Sequence, residues 1–589
     1  MRNLHLWFAA GLGILIGAFA CAVLQTALSE SLWLDELHTS WAISGEWQEI
    51  ATRAAAGNQT PLYFWLVAAV SQTLGYPNGH QSEWLLRLPS IVAWLLAVGL
   101  VAWQIQSKIL PNDSRKWSFA IGIVAWVAVD RLQWFFASEA RPYACVQLVS
   151  LAGWCCIEAI VREAWRTDGG QGADSSPMRS GQPKIRVLVV AWCLLSIINI
   201  YLHLTAALPV LFQWLTACGM VAWSHARARR QPQAKNSSIL VATDAVANPS
   251  AKPAKFQALW ILAGVVVGLA LLPILQLAFP VWQRRGQWAT FASDVSFYRA
   301  SSMFPFIPVL LGVFVGCVLD RLLPRSNSPK FKIATHVRLL WWVAMLGPWL
   351  TAWALTALGI APMFHQRFVF ASALPLFVVG AIELISCRHW ISRWLTCGGV
   401  AIAILFSQGS LSIWHAGYLV GNLRGEDWRA ATEWVRSQRL AGEPLLCSSG
   451  LIEANSSSTY PHRLPLEPAF AEYLAFPLLG IYRVAEPEQQ TATNTTQRSL
   501  QAEETPQASQ QVTPLLGDHR QWAAQVGERV GADTSRQLRM WLFYRGAPGR
   551  LKTKLGEFQS DLRTNSLEFA ASEPERFGSV FVVELKRVR

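Results

Sequence analysis

Apolar runs of about twenty residues constrain this chain more than any other feature. Five of them, at 4–28, 85–106, 117–136, 256–280 and 339–358, match the length that a helix needs to cross roughly 30 Å of hydrocarbon. Composition agrees: 52% of residues are hydrophobic and 15% charged, against roughly a quarter charged in soluble domains. An ordinary soluble enzyme, a disordered chain, a collagen and a disulfide-stapled mini-protein are excluded together. The fold class expected is an all-α polytopic membrane protein.

Eleven runs are long enough to span: 4–28, 85–106, 117–136, 142–161, 186–202, 205–224, 256–280, 303–320, 339–359, 368–387 and 394–415. The first is longer than the apolar core of a signal peptide and reads as an uncleaved helix. A twelfth run, 61–74, has fourteen residues, which suits an interfacial helix better than a span. Charge arbitrates. With 61–74 outside the count, the basic loops 107–116, 162–185, 225–255, 321–338 and 388–393 all fall on the cytoplasmic side, as the positive-inside rule requires. The net charge of +13 is therefore accounted for by loops that orient helices, and nucleic acid is not expected as a partner. The 30 Trp suit aromatic belts at the two interfaces.

This topology predicts a transmembrane domain over 1–415 and an extracytoplasmic loop over 29–84 that carries six acids. A separate C-terminal domain is expected over 416–589. Its helical spacing at 426–440 and strand-like runs at 444–449, 540–544 and 580–585 predict a small α/β fold. The Gln/Thr/Ser/Ala-rich stretch 488–511 reads as an insertion. Cys447 is the one cysteine of this tail, so it has no internal disulfide, and the ten cysteines of the chain show no metal-type pairing.

Chemistry concentrates on the same predicted outer face. Asp35 and Glu36 follow the first span within Ser31-Leu32-Trp33-Leu34-Asp35-Glu36-Leu37-His38, a pair suited to a general base, a metal ligand or simply a solvated acidic loop. Arg87 stands at the mouth of the second span, and Ser138-Glu139-Ala140-Arg141-Pro142-Tyr143 forms a whole outer turn. His203 occupies a tight outer turn, and His365-Gln366-Arg367 opens the tenth span. Charges at membrane depth are costly and usually functional, and the arginine fork matches phosphate oxygens bidentately. Carboxylates, arginines and histidines on one face suit group transfer from a phosphorylated lipid. Glu139 pairing with Arg141, and His203 bonding within the helix bundle, are the structural alternatives.

The order of these motifs resembles the C superfamily of glycosyltransferases (GT-C). One span is followed by W-x-D-E at Trp33–Glu36, then T-P-L-Y at Thr60–Tyr63, R-L-P-S at Arg87–Ser90 and S-E-A-R-P-Y at Ser138–Tyr143. The Tyr201-x-His203 turn, a helix opened by Gln366-Arg367-Phe368 and a D-W-R-x-A start to the tail at Asp427 complete the likeness. It looks most like the bacterial branch related to protein O-mannosyltransferases and lipid A aminoarabinose transferase. The resemblance implies a polyprenyl-phosphate-linked sugar as donor and an envelope glycan, lipid or protein as acceptor, in a bacterial inner membrane with the site facing outward. Asp35 would be the catalytic base, with Glu36 beside it to orient the acceptor or bind a divalent cation, no cofactor being certain. Arg87, Arg141 and Arg367 would hold the donor phosphate, with Glu139, Tyr143, His203 and Tyr63 contacting substrate. A transporter or flippase would need mid-membrane charges and repeated halves, which the sequence lacks. A non-catalytic scaffold displaying the tail leaves the acids and arginines without a role.

Overall fold

The computed structural model describes residues 4–76, 82–109, 116–168, 181–230, 251–283, 294–323, 333–387, 389–407, 424–451, 468–484, 512–530 and 538–588. They fall into two compact units. The first takes Met1–Leu24 and Pro89–Ala416, and the second takes Gln25–Leu88 and Gly417–Arg589. The expected boundary at 415/416 is thus only half of the division. The acidic loop, assigned by sequence to the transmembrane domain, folds with the tail instead.

The first unit is helical. Among the described residues six helices are long and apolar enough to cross a membrane, or up to eight when two bent pairs are counted. The six are Glu83–Ser107, Tyr143–Glu163, Ile185–Leu202, Leu204–Trp223, Thr335–Ala357 and Gln366–Ile385, which coincide with expected spans. The chain is a multi-pass membrane protein, but the count of eleven is not reached, and the departures have local causes. The run 117–136 is not one straight span: α6 (Lys116–Val129) and α7 (Arg131–Ala137) meet at a 73° bend. Asp130 makes the break by capping α7, its carboxylate accepting the Leu132 N–H at 3.1 Å. The run 256–280 divides into α11 (Ala251–Ala270) and α12 (Leu272–Gln283), where Pro273 removes a donor and crowds the preceding turn. The run 303–320 appears as the shorter helix Phe306–Leu322, and the run 394–415 is described as far as Ser407, in the helix Trp390–Ser407, its remainder lying outside the described residues.

Polar side chains staple the buried helices of this unit. On α8 (Tyr143–Asp168) the backbone carbonyl of Ser150 accepts from Gln213 Nε2 at 2.9 Å, and its hydroxyl accepts from Asn199 Nδ2 at 2.8 Å. Glu158, about two turns further along, accepts from Trp341 Nε1 at 2.8 Å and from Arg162 Nε at 2.6 Å. Each group finds a partner that lipid could not offer, which is how polar residues are tolerated at depth.

The second unit contains short helices from the loop and an α/β tail. The loop supplies α2 (Leu34–Ala42), α3 (Ile50–Ala56) and α4 (Leu62–Thr73). The last corresponds to run 61–74 and, at twelve residues, is too short to span. The tail's strands are β1 (Leu445–Ser448), β2 (Val512–Pro514), β3 (Arg539–Arg545), β4 (Phe569–Ala571), β5 (Glu575–Phe577) and β6 (Val580–Arg587). They form one mixed sheet in the order β2-β1-β3-β6-β4, with β5 also paired to β6. The pairs β1–β2 and β1–β3 are parallel, while those to β6 are antiparallel.

Strand β3 is buried on both faces, as its apolar run Met540–Tyr544 demands. Met540, Leu542 and Tyr544 join the core with Trp522 of the helix His519–Val530 and with Leu551, Phe558 and Leu562 of the helix Pro548–Thr564. On alternate positions, Trp541 and Phe543 meet Trp434 and Trp428 of the helix Trp428–Gln438, with ring centroids 5.5 and 6.5 Å apart. All three strands read from the sequence are present. Cys447 lies buried on β1 as a free thiol. The insertion at 488–511 lies outside the described residues.

Candidate active site

The sequence-selected residues divide between the two units. Asp35, Glu36, Tyr63 and Arg87 belong to the second, and Glu139, Arg141, Tyr143, His203 and Arg367 to the first.

In the second unit Asp35 and Glu36 occupy the first turn of α2. Successive helical residues point about 100° apart, and the two carboxylates accordingly have different surroundings. Asp35 is half-buried, whereas Glu36 is 0% exposed. Arg87, also 0% exposed, grips Glu36 as a fork: Nε donates to Oε1 and Nη2 to Oε2, each at 2.7 Å. The rest of the guanidinium reaches backbone carbonyls at the end of α1 (Leu4–Ser29), with Nη1 donating to Ala27 O at 3.1 Å and Glu30 O at 2.8 Å. Nη2 also donates to Ser31 O at 3.3 Å. Such bonds satisfy carbonyls that the last helical turn leaves without partners. Arg87, expected on the donor phosphate, is therefore engaged with Glu36 and the chain entering α2. Its fork is occupied by a carboxylate where the expectation placed a phosphate.

A second ion pair continues this network. Arg424 Nη1 contacts Glu30 Oε2, the Arg424 N–H donates to Glu30 Oε1 at 2.6 Å, and Arg424 Nε lies 3.8 Å from Glu36 Oε2. Neither Glu30 nor Arg424 stood out in the sequence. Glu30 resembled one more acid of the loop, and its partner lies nearly four hundred residues away. Tyr63 is fully buried, its ring edge-on to Phe64 with centroids 5.9 Å apart. Packing of this kind places the Tyr63 ring in the core of the unit.

In the first unit the turn Ser138–Pro142 leads into α8, and Glu139, Arg141 and Tyr143 are all buried. Ser90 Oγ donates to the Arg141 carbonyl at 2.9 Å, tying the turn down. The Tyr143 ring lies 5.4 Å from the imidazole of His203 and 5.2 Å from Phe136. His203 falls between the spans Ile185–Leu202 and Leu204–Trp223, at the start of a short 3-10 turn. Its Nδ1 accepts from Thr205 Oγ1 at 2.7 Å and from the Thr205 N–H at 3.3 Å, so the ring proton resides on Nε2.

Burial, followed by the positive charges of Arg141 and Arg367, pushes the His203 pKa down to about 3. His203 is neutral at any physiological pH. Arg141 stands two residues before Tyr143, whose ring lies 5.4 Å from His203, and Arg367 adjoins Phe368, whose ring lies 6.1 Å from it. Arg367 is half-buried at the start of the helix Gln366–Val369, where His365 Nδ1 accepts the Arg367 N–H at 3.4 Å. Phe368 from the same turn lies 6.1 Å from His203. His365 repeats the capping role of His203, and its place beside Arg367 was the available sequence signal. Among the described residues no group of three or more His, Cys, Asp or Glu could hold a metal ion.

Chemically, the first unit offers two guanidiniums beside a neutral imidazole and a buried phenol ring. That set can bind an oxyanion without adding a negative charge of its own at the imidazole. The second unit offers a half-buried carboxylate on a helix whose neighbouring acid is already paired. No protein-family model and no curated protein matches the chain. Solved structures do. ArnT from Cupriavidus metallidurans is similar at 14% identity in the apo state and 13% bound to undecaprenyl phosphate, with a TM-score of 0.31 and 98% of both chains covered in each case. The archaeal oligosaccharyltransferase AglB from Archaeoglobus fulgidus, in complex with an inhibitory peptide and a dolichol-phosphate, is similar at 10% identity and a TM-score of 0.42. That match covers 97% of this chain and 74% of the other.

Proposed function

We propose that this protein is a membrane glycosyltransferase that moves a sugar from a polyprenyl-phosphate-linked donor to an envelope acceptor. The observation that carries the reading is the convergence on His203 of the two arginine-bearing turns, through the ring of Tyr143 at 5.4 Å, two residues from buried Arg141, and the ring of Phe368 at 6.1 Å, next to Arg367. Two forked donors in one neighbourhood suit a phosphate whose charge grows as the glycosidic bond breaks. In the first unit these arginines are the candidates to hold the lipid phosphate that departs with the bonding electrons as an acceptor nucleophile attacks the anomeric carbon. In the second unit the W-x-D-E motif makes Asp35 the candidate to take the proton of that nucleophile. Glu36 and Arg87 hold the helix that bears Asp35, and their own pairing keeps them out of the chemistry. The basic loops support a site on the extracytoplasmic face, and the branch resembled supports a bacterial inner membrane.

The test supplies radiolabelled polyprenyl-phosphate sugars to membranes containing the protein. Transfer of label to a lipid, glycan or protein acceptor is the expected result. Movement of intact donor across vesicles without transfer would refute the enzyme reading and favour a flippase.

A further inference from the structure

The helix that carries Asp35 has nine residues, too few to hold its own conformation or direction in water. Its position is set by what it packs on, and the C-terminal domain supplies that at every level of the helix. Ahead of the first turn, the Tyr482 phenol oxygen accepts the Leu32 N–H at 2.8 Å and the Ser31 hydroxyl at 3.3 Å, while its own proton goes to Glu83 Oε1. Burial, reinforced by the Glu83 carboxylate, pushes that phenol well above its usual pKa, so the proton stays on Tyr482. At the first helical residue, Glu426 Oε2 accepts the Leu34 N–H at 3.0 Å.

Glu426 is itself fixed. Its carboxylate accepts from Trp428 Nε1 at 2.8 Å and from Arg545 Nε at 2.7 Å, anchoring it to strand β3 of the sheet. Further along, the Ile481 N–H donates to Ser40 Oγ at 3.0 Å. Gly480 lies so close that a Cβ there would come within 3.0 Å of the Ser40 hydroxyl and 3.3 Å of the Trp41 nitrogen. At the far end, Trp41 Nε1 donates to Glu472 at 3.0 Å.

We infer that the C-terminal domain is the positioning module of the catalytic carboxylate, with Tyr482 and Glu426 as positioning residues that set where Asp35 stands. The inference rests on Asp35 being the base of the proposed transfer. Neither residue touches the reacting atoms; each holds a backbone N–H within three residues of Asp35. A base displaced by about 1 Å loses on the order of 100-fold in rate while donor binding stays intact.

A double-mutant cycle on the full-length protein in lipid nanodiscs separates positioning from general support. Tyr482→Phe keeps the ring and removes the oxygen. Alone it should lower kcat by about 10- to 100-fold with the donor KM unchanged. In an Asp35→Asn background, where no base remains to be misplaced, the same change should cost nothing further. Equal losses in both backgrounds, or no loss in the first, would overturn the inference. If Tyr482→Phe yields no folded protein, Glu426→Gln carries the same cycle with the same two outcomes. Near-native transfer by Asp35→Asn alone would instead remove the proposed base, a failure distinct from that of the positioning role.

Discussion

Replacing Arg87 by Met removes the partner of a carboxylate that is 0% exposed. The wild-type pair is bidentate at 2.7 Å on both arms, and the nearest other cation, Arg424 Nε, is 3.8 Å away. Breaking such a pair from one side leaves a buried charge uncompensated and costs about 3–5 kcal/mol. The variant also gives up the bonds from Nη1 to the carbonyls of Ala27 and Glu30. For a body of this size each kcal/mol moves the midpoint by roughly 2–4 °C, so the unit should melt about 6–20 °C lower. Thermal unfolding of the purified protein in detergent, followed by tryptophan fluorescence, reads the shift. The double variant Glu36→Leu/Arg87→Met, which removes both charges, should recover a large part of it, because an apolar pair of similar volume needs no compensation. A midpoint for Arg87→Met within about 2 °C of wild type would refute the claim that this ion pair holds the entry to α2. A normal midpoint with a raised donor KM would return Arg87 to the phosphate.

The other expectations concern the chemistry. Asp35→Asn should fold and bind donor normally yet lose at least about 100-fold in transfer, measured on purified protein; near-native transfer would exclude Asp35 as the base. Arg141→Lys and Arg367→Lys keep the charge but lose the fork, and each should raise the donor KM in steady-state transfer assays. His203 makes stability depend on pH with a definite sign. Its folded pKa of about 3 lies below the unfolded value of about 6.5, so its stabilisation is complete above pH 6.5 and is lost as pH falls from there toward 3. The slope approaches about 1.4 kcal/mol per pH unit. Thermal midpoints between pH 7 and 4 should fall more steeply for wild type than for His203→Gln, and parallel curves would contradict a neutral buried imidazole.

Much of the architecture was legible because it depends on local pattern. The runs that became Tyr143–Glu163, Ile185–Leu202 and Gln366–Ile385 announce themselves by length and apolarity, since every backbone group of a lipid-embedded helix is satisfied within the segment. The strands Leu445–Ser448, Arg539–Arg545 and Val580–Arg587 were equally visible, the first as a short apolar run and the other two as aromatic or β-branched ones. The turns bearing Arg141, His203 and Arg367 were visible as polar interruptions between such runs. Asp130 was present too, a lone acid inside an apolar stretch, but periodicity alone could not say that it would cap a new helix and bend the path by 73°.

What only the tertiary structure decided is which charge meets which. Glu36 and Arg87 are 51 residues apart and Glu30 and Arg424 are 394 apart, and no local rule pairs them. Asp35 and Glu36 are neighbours in sequence with the same carboxylate chemistry. One became half-buried and the other sealed because a helix turns adjacent residues to different sides, and only the packed surroundings determine what each side meets. The same holds for the acidic loop, whose sequence neighbours are membrane helices and whose folded partners are in the C-terminal domain. Hydropathy records the solvent that each segment prefers. The partner of a buried charge is selected by the cost of leaving it alone, and that cost exists only once the chain has closed around it.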